Sequence, residues 1–190
     1  IGIRLNPDIE AGASKKISTG NKTDKFGIGI EKLESLISQI QSSNNIKLKG
    51  ISCHIGSQIT EIKTFEKVFN IMKDSAAFCL SKDVKIEFVD LGGGFGINYH
   101  NDTNDFDIVA LGKLSKSIFK DETYSISFEP GRYIVAKAGI IITKILTSKT
   151  NGGINFLITD AGMQTLLRPA IYGAFHRIKA LKNVSKNNIQ

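Results

Sequence analysis

Tryptophan is absent from the 190 residues, proline occurs three times, and cysteine and methionine twice each. Three prolines in a chain of this length exclude a collagen-like architecture. Cys53 and Cys79 are too few for the disulfide framework of a secreted module. Neither has a second Cys or His at metal-ligand spacing, so no zinc or other metal site is expected. Both read as buried thiols in a reducing compartment, and the chain is assigned to the cytoplasm. No apolar run approaches the ~18–20 residues needed to cross a bilayer, the longest lying around Ala138 to Ile142. The start, Ile1-Gly2-Ile3-Arg4, lacks the order of a signal peptide and reads as the inside of a strand. Acidic residues are in deficit, giving a net charge of +7. Only Arg4, Arg132, Arg168 and Arg177 are arginine, and the lysines are scattered without interleaved aromatics. That describes a solvated basic surface better than a nucleic-acid footprint. The remaining composition, 41% hydrophobic and 23% charged, is that of a globular chain able to build a core.

The apolar periodicity predicts alternating elements. Residues 1–6 read as a strand stopped by Pro7, followed by a Gly/Ser/Lys-rich loop to Gly27. Leu33, Leu36, Ile37 and Ile40 give the stripe of an amphipathic helix over 29–42. A strand over 47–53 and a helix over 64–80 follow, the latter with Phe65, Val68, Phe69, Met72 and Ala76 on one face. Then come a strand over 86–91, a polar loop through Asp107, a helix over 108–119 and a strand over 124–128. Such alternation implies parallel strands with right-handed crossovers, in a doubly wound sheet or part of a (β/α) barrel. Beyond Gly131 the pattern turns β-rich over 134–146 and 154–159, joined by the turn Asn151-Gly152-Gly153. A domain boundary is expected near 132–138.

Four clusters carry candidate chemistry. Val89-Asp90-Leu91 runs directly into Gly92-Gly93-Gly94-Phe95-Gly96, and consecutive glycines let backbone N–H groups approach an anion closely. The run matches neither a P-loop nor a dinucleotide fingerprint, so a phosphate cradle and a tight turn both remain open. Cys53-His54-Ile55-Gly56-Ser57-Gln58 and Glu129-Pro130-Gly131-Arg132 also follow strands, where ligands gather in parallel α/β folds. A structural histidine and a local ion pair are their plain alternatives. In Arg168-Pro169-Ala170-Ile171-Tyr172-Gly173 the arginine suits a bidentate clamp on a carboxylate, or a cap on a turn.

Taken together with Arg4-Leu-Asn-Pro, Ser18-Thr-Gly, Lys25-Phe-Gly-Ile and Asp160-Ala-Gly-Met, these segments resemble the diaminopimelate decarboxylase family, in order and over nearly the whole chain. The resemblance implies a pyridoxal 5'-phosphate (PLP) enzyme of the alanine-racemase-like fold. The expected architecture is α/β, the second half of a (β/α)8 TIM-type barrel over residues 1–135 followed by the start of a β domain over 136–190. His54 would stack on the pyridine ring, while Ser57, Gly92, Gly93 and Gly94 would hold the phosphate, with Gly131 also at the cofactor. Glu129 would face the pyridine nitrogen, and Arg132 would reach the phosphate or a substrate carboxylate. Arg168 and Tyr172 would recognise the far end of meso-diaminopimelate, which the complete enzyme, expected as a homodimer, would convert to L-lysine and CO2.

Family members run longer, and neither the lysine that forms their Schiff base nor their reactive C-terminal cysteine has a counterpart here. Lys137 follows the Glu-Pro-Gly-Arg motif, aligns with the domain junction and is assigned no catalytic role. No catalytic residue is therefore placed. The chain alone is expected to be inactive, and half a barrel is expected to leave unpaired strand edges. Two other readings stand beside this one: an ornithine or arginine decarboxylase of the same fold, and a catalytically incomplete fragment that only binds PLP or a complementary chain.

Overall fold

The computed structural model describes residues 1–11, 19–22, 24–100 and 106–181. Residues 12–18 and 23 of the Gly/Ser/Lys-rich loop, Ser18 of the Ser-Thr-Gly motif among them, and residues 101–105 of the polar loop before Asp107 lie outside the described residues. The chain divides into two compact units. One comprises Ile1–Ile97 with Asn104–Gly139, the other Asn98–Thr103 with Ile140–Gln190.

The first unit is built on a five-stranded sheet of β1 (Gly2–Asn6), β2 (Ile28–Gly29), β3 (Gly50–Cys53), β4 (Phe88–Gly93) and β5 (Ser125–Glu129). Their spatial order is β2-β1-β3-β4-β5, and every pairing is parallel. Among the described residues β2 and β5 are edges, so the sheet does not close into a barrel. The helices α1 (Leu33–Gln41), α2 (Ile62–Ser81) and α3 (Ile108–Ile118) supply the crossovers, with a 3-10 turn at Ile30–Lys32 leading into α1.

Helix α3, spanning Ile108–Ile118, is started by Asp107, whose carboxylate accepts from the Ala110 N–H at 2.8 Å.

The expected faces are the buried ones. Phe65, Val68, Phe69, Met72 and Ala76 of α2 are all buried, as are Leu33 and Ile37 of α1, while Leu36 and Ile40 pack at the margin of the core. Phe65 meets Phe95 and Phe106, and Phe69 meets Phe119 and Phe128, at ring-centroid separations of 5.3–6.0 Å. This aromatic layer ties α2 to the loop after β4, to the end of α3 and to β5. It thereby fixes the depth at which the strand ends emerge. Both cysteines are buried and unpaired, and burial, helped by the Asp90 charge, pushes the Cys53 thiol up to about 12.

Residues 134–144 depart from the β-rich expectation. Arg132–Val135 form a short helix, α4, and no strand begins until β6 (Ile145–Asn151), which pairs antiparallel with β7 (Ile154–Thr159). A run of β-branched residues favours a strand only where a neighbouring strand accepts its ladder, and among the described residues none flanks 139–144. The β6–β7 turn matches the expectation, because Gly152 and Gly153 both take positive φ, 57° and 79°, as a type I′ turn requires. Within this second unit both faces of the hairpin are exposed, Ile145, Leu146, Ile154 and Leu157 included. No helix among the described residues is long and apolar enough to cross a membrane, and no group of His, Cys, Asp or Glu among them could hold a metal.

Candidate functional site

The carboxyl ends of β3, β4 and β5 lie side by side, because Ser52 pairs with Asp90 and Gly93 pairs with Glu129. Three of the four candidate clusters thus meet at one edge of the first unit. Gly92 and Gly93 are the last residues of β4 rather than part of a loop beyond it. Glycine is required there by crowding. A Cβ on Gly93 would stand 2.0 Å from the Glu129 carbonyl oxygen, and one on Gly94, at φ 89°, would stand 2.1 Å from the Gly56 carbonyl oxygen. Gly131 differs: among the described residues nothing but its chain neighbours comes within 4 Å of where a Cβ would stand.

His54 is half-buried and held from several sides. Its carbonyl accepts from Arg4 Nη2 at 3.3 Å and from Thr19 Oγ1 at 2.8 Å. Its Nδ1 accepts the Gly93 N–H at 3.3 Å, which assigns the neutral tautomer with the proton on Nε2. Burial, reinforced by the Arg4 guanidinium, holds the imidazole below its ordinary value near 6.5, and the Glu129 and Asp90 carboxylates oppose this only in part. Glu129 Oε2 stands 4.0 Å from His54 Nδ1 and its side chain is largely exposed. Asp90 braces the turn, accepting the Gly92 N–H at 2.8 Å and the Ser127 hydroxyl at 3.1 Å.

The lowered value of His54 has a thermodynamic sign. Below about pH 6.5 the unfolded chain binds a proton that the folded chain resists. The resulting stability is present above pH 6.5 and is lost as the pH falls through the folded value. An NMR titration of the His54 Cε1 resonance is expected to give a midpoint below 6.5; a midpoint at or above 6.5 would mean that the neighbouring carboxylates outweigh burial at this ring.

Arg132 opens α4 and donates from Nη1 to Gln58 Oε1 at 3.2 Å. In the second unit Arg168 opens α5 (Arg168–Tyr172), where Pro169 supports the first turn and Gly173, at φ 62°, ends it. The Arg168 guanidinium lies 5.4 Å from the centroid of the Tyr99 ring, with Nη1 3.4 Å from the Tyr99 hydroxyl and 3.0 Å from His176 Nε2. Tyr172 is exposed. Sequence reading gave no role to Arg4, Tyr99 or His176. Tyr99 lies 69 residues from the arginine it holds, and nothing in the spacing joins them.

The donor set at the three strand ends suits a planar pyridine phosphate. His54 offers a neutral ring, Glu129 a carboxylate that could face a ring nitrogen, and Ser57, Gly94 and Arg132 groups that could bind an anion, while the Gly92 and Gly93 N–H groups are taken by Asp90 and His54.

Comparison with known families agrees with this chemistry. Residues 1–136 match the pyridoxal-dependent decarboxylase pyridoxal binding domain, and residues 123–190 match the pyridoxal-dependent decarboxylase C-terminal sheet domain. The diaminopimelate decarboxylase of Zymomonas mobilis is 36% identical over 182 residues, 95% of this chain and 43% of that protein. Its Aquifex aeolicus counterpart is 33% identical over 189 residues, 100% of this chain and 45% of that protein. The chain therefore spans less than half the length of these relatives. A crystal structure of a point mutant of Helicobacter pylori diaminopimelate decarboxylase complexed with L-lysine superposes with a TM-score of 0.92 at 30% identity, covering 97% of this chain and 46% of that one. An arginine decarboxylase from Paramecium bursaria Chlorella virus, at 19% identity and a TM-score of 0.80, shares the fold alone.

Proposed function

The chain belongs to the pyridoxal-dependent decarboxylases, and from that premise we propose that it supplies the later half of the cofactor-binding barrel, over residues 1–135, and the start of the β domain, over 136–190, in an enzyme that converts meso-diaminopimelate to L-lysine and CO2. The observation that carries the reading is the meeting of His54, the Gly92–Gly94 run, Glu129 and Arg132 at three adjacent strand ends. Relatives named diaminopimelate decarboxylase at 33–36% identity support the choice of substrate.

The residues of the chain divide the work by charge and shape. Bound PLP supplies an electron sink for the carbanion left by decarboxylation. Ser57, through its hydroxyl, and Gly94, through its N–H, would hold the phosphate, Gly92 and Gly93 would admit it by lacking side chains while their N–H groups stay on Asp90 and His54, and Gly131 leaves open space beside Arg132. Neutral His54 would cover one ring face, its orientation set by the Gly93 N–H on Nδ1. The Glu129 carboxylate would hold a proton on the ring nitrogen. Arg132 would carry positive charge to the phosphate or to a substrate carboxylate. Arg168, steered by Tyr99 and His176, and Tyr172 would select the distal amino-acid group of the substrate. The complete enzyme is proposed to act as a cytoplasmic homodimer, to be checked by sedimentation.

A distal carboxylate calls for a cationic partner, and a distal ammonium or guanidinium for an acidic one. The full-length protein is therefore expected to favour meso-diaminopimelate over ornithine and arginine in kcat/KM by at least a hundredfold, the scale on which mispaired buried polar groups discriminate. Faster turnover of ornithine or arginine would overturn the substrate assignment. The 190-residue chain by itself is expected to give no stoichiometric lysine label after incubation with PLP and borohydride, because the family resemblance assigns it no Schiff-base lysine. Peptide mapping that found one fully labelled lysine, Lys137 above all, would contradict this.

A further inference from the structure

Gln58 is a non-glycine residue held at φ 65°, the left-handed region, between the β3 end and the loop after the glycines. Such a backbone persists where the surroundings over-determine it. Its carboxamide does so here. Nε2 donates to the Ile97 carbonyl, and Oε1 accepts the Ile97 N–H at 3.1 Å. Since only an oxygen can accept that N–H, the orientation of the amide is fixed by chemistry. The second lone pair of the same oxygen takes Arg132 Nη1 at 3.2 Å. One side chain thus joins all three strand-end segments of the site. Among the described residues Arg132 forms no ion pair, so its guanidinium is held by a neutral acceptor and keeps its full charge.

We infer that Gln58 is the positioning residue for Arg132: its carboxamide, locked on the Ile97 backbone, aims the guanidinium at the anionic group of the ligand without neutralising it. The inference rests on the pyridoxal-phosphate reading of the site and adds to it a residue that fixes phosphate discrimination. A carboxylate at position 58 would hold the arginine while cancelling its charge, and an asparagine, shorter by one methylene, would not reach both partners.

The test measures the affinities of PLP and of pyridoxal, which lacks the phosphate, for the full-length protein by cofactor absorbance. Gln58→Asn is expected to weaken PLP about tenfold, which is about 1.4 kcal/mol, and to leave pyridoxal within twofold. Gln58→Glu, closest in shape to the native side chain, is expected to do the same. In an Arg132→Met background the Gln58→Asn change should alter PLP affinity by less than twofold, because the group it aims is gone. Equal losses for PLP and pyridoxal, or fully additive losses in the double variant, would make Gln58 a general structural residue and overturn the assignment. A wild-type protein that binds the two ligands equally would instead overturn the phosphate reading of the site, and the role of Gln58 with it.

Discussion

Glu129→Gln in the full-length protein is expected to lower turnover on the order of 10²–10⁴, the range commanded by groups that control a proton in the transition state, while PLP affinity stays within about threefold. The difference follows from where the side chain stands. Glu129 closes β5, paired in register with Gly93, so its backbone belongs to the glycine crowding that shapes the cradle. Its carboxylate projects outward, largely exposed, with Oε2 4.0 Å from His54 Nδ1. Glutamine is close to glutamate in volume and leaves the main-chain contacts in place. A neutral amide, however, cannot hold a proton on a pyridine nitrogen, and without that proton the ring is a weaker electron sink. Comparing kcat with the PLP dissociation constant checks the split. Equal losses in both would mean that Glu129 serves only as a local structural partner.

Gly93→Ala and Gly131→Ala are expected to part ways, although both glycines stand among the candidate cofactor contacts. At position 93 the new methyl would lie 2.0 Å from the Glu129 carbonyl oxygen, a backbone atom that cannot swing aside, so β4 and β5 must separate. Overpacking of this kind costs about 1–3 kcal/mol, occasionally more. The same shift would pull the Gly93 N–H from His54 Nδ1 and move Glu129 from its register. Gly93→Ala is therefore expected to reduce both the denaturant midpoint and PLP affinity, the latter by at least a hundredfold. At position 131 no atom of the described residues, its two chain neighbours aside, lies within 4 Å of where a Cβ would stand. The midpoint of Gly131→Ala should stay within about 0.5 kcal/mol of the native protein, as for other substitutions away from packed features. Any loss of PLP affinity there would report contact with the ligand itself. A Gly93→Ala protein of native stability and affinity would contradict the crowding at the β4–β5 junction.

The amino-acid sequence by itself determined the alternation of strand and helix through residue 129, because the periods of apolar residues are set by local backbone geometry. The two-residue strand β2 at Ile28–Gly29 is the exception: it reads from sequence as the start of a helix, and so short a strand exists only through its pairing with β1. The Phe65, Val68, Phe69, Met72 and Ala76 stripe needs no partner to be read, and those five residues are buried. The glycine run and the Asn151-Gly152-Gly153 turn were legible for the same local reason. Residues 134–144 were not, since their β-branched composition favours a strand and, among the described residues, no neighbouring ladder accepts one. What only the tertiary structure decided is who meets whom. His54 and Gly93 lie 39 residues apart, Gln58 and Arg132 lie 74 apart, and their contacts exist because β3, β4 and β5 are adjacent in the sheet. The tautomer of His54, the aim of Arg132 and the hold of Tyr99 and His176 on Arg168 are consequences of that assembly. Hydrogen bonds over such separations leave no period in the chain, so strand order and packing had to bring their partners together.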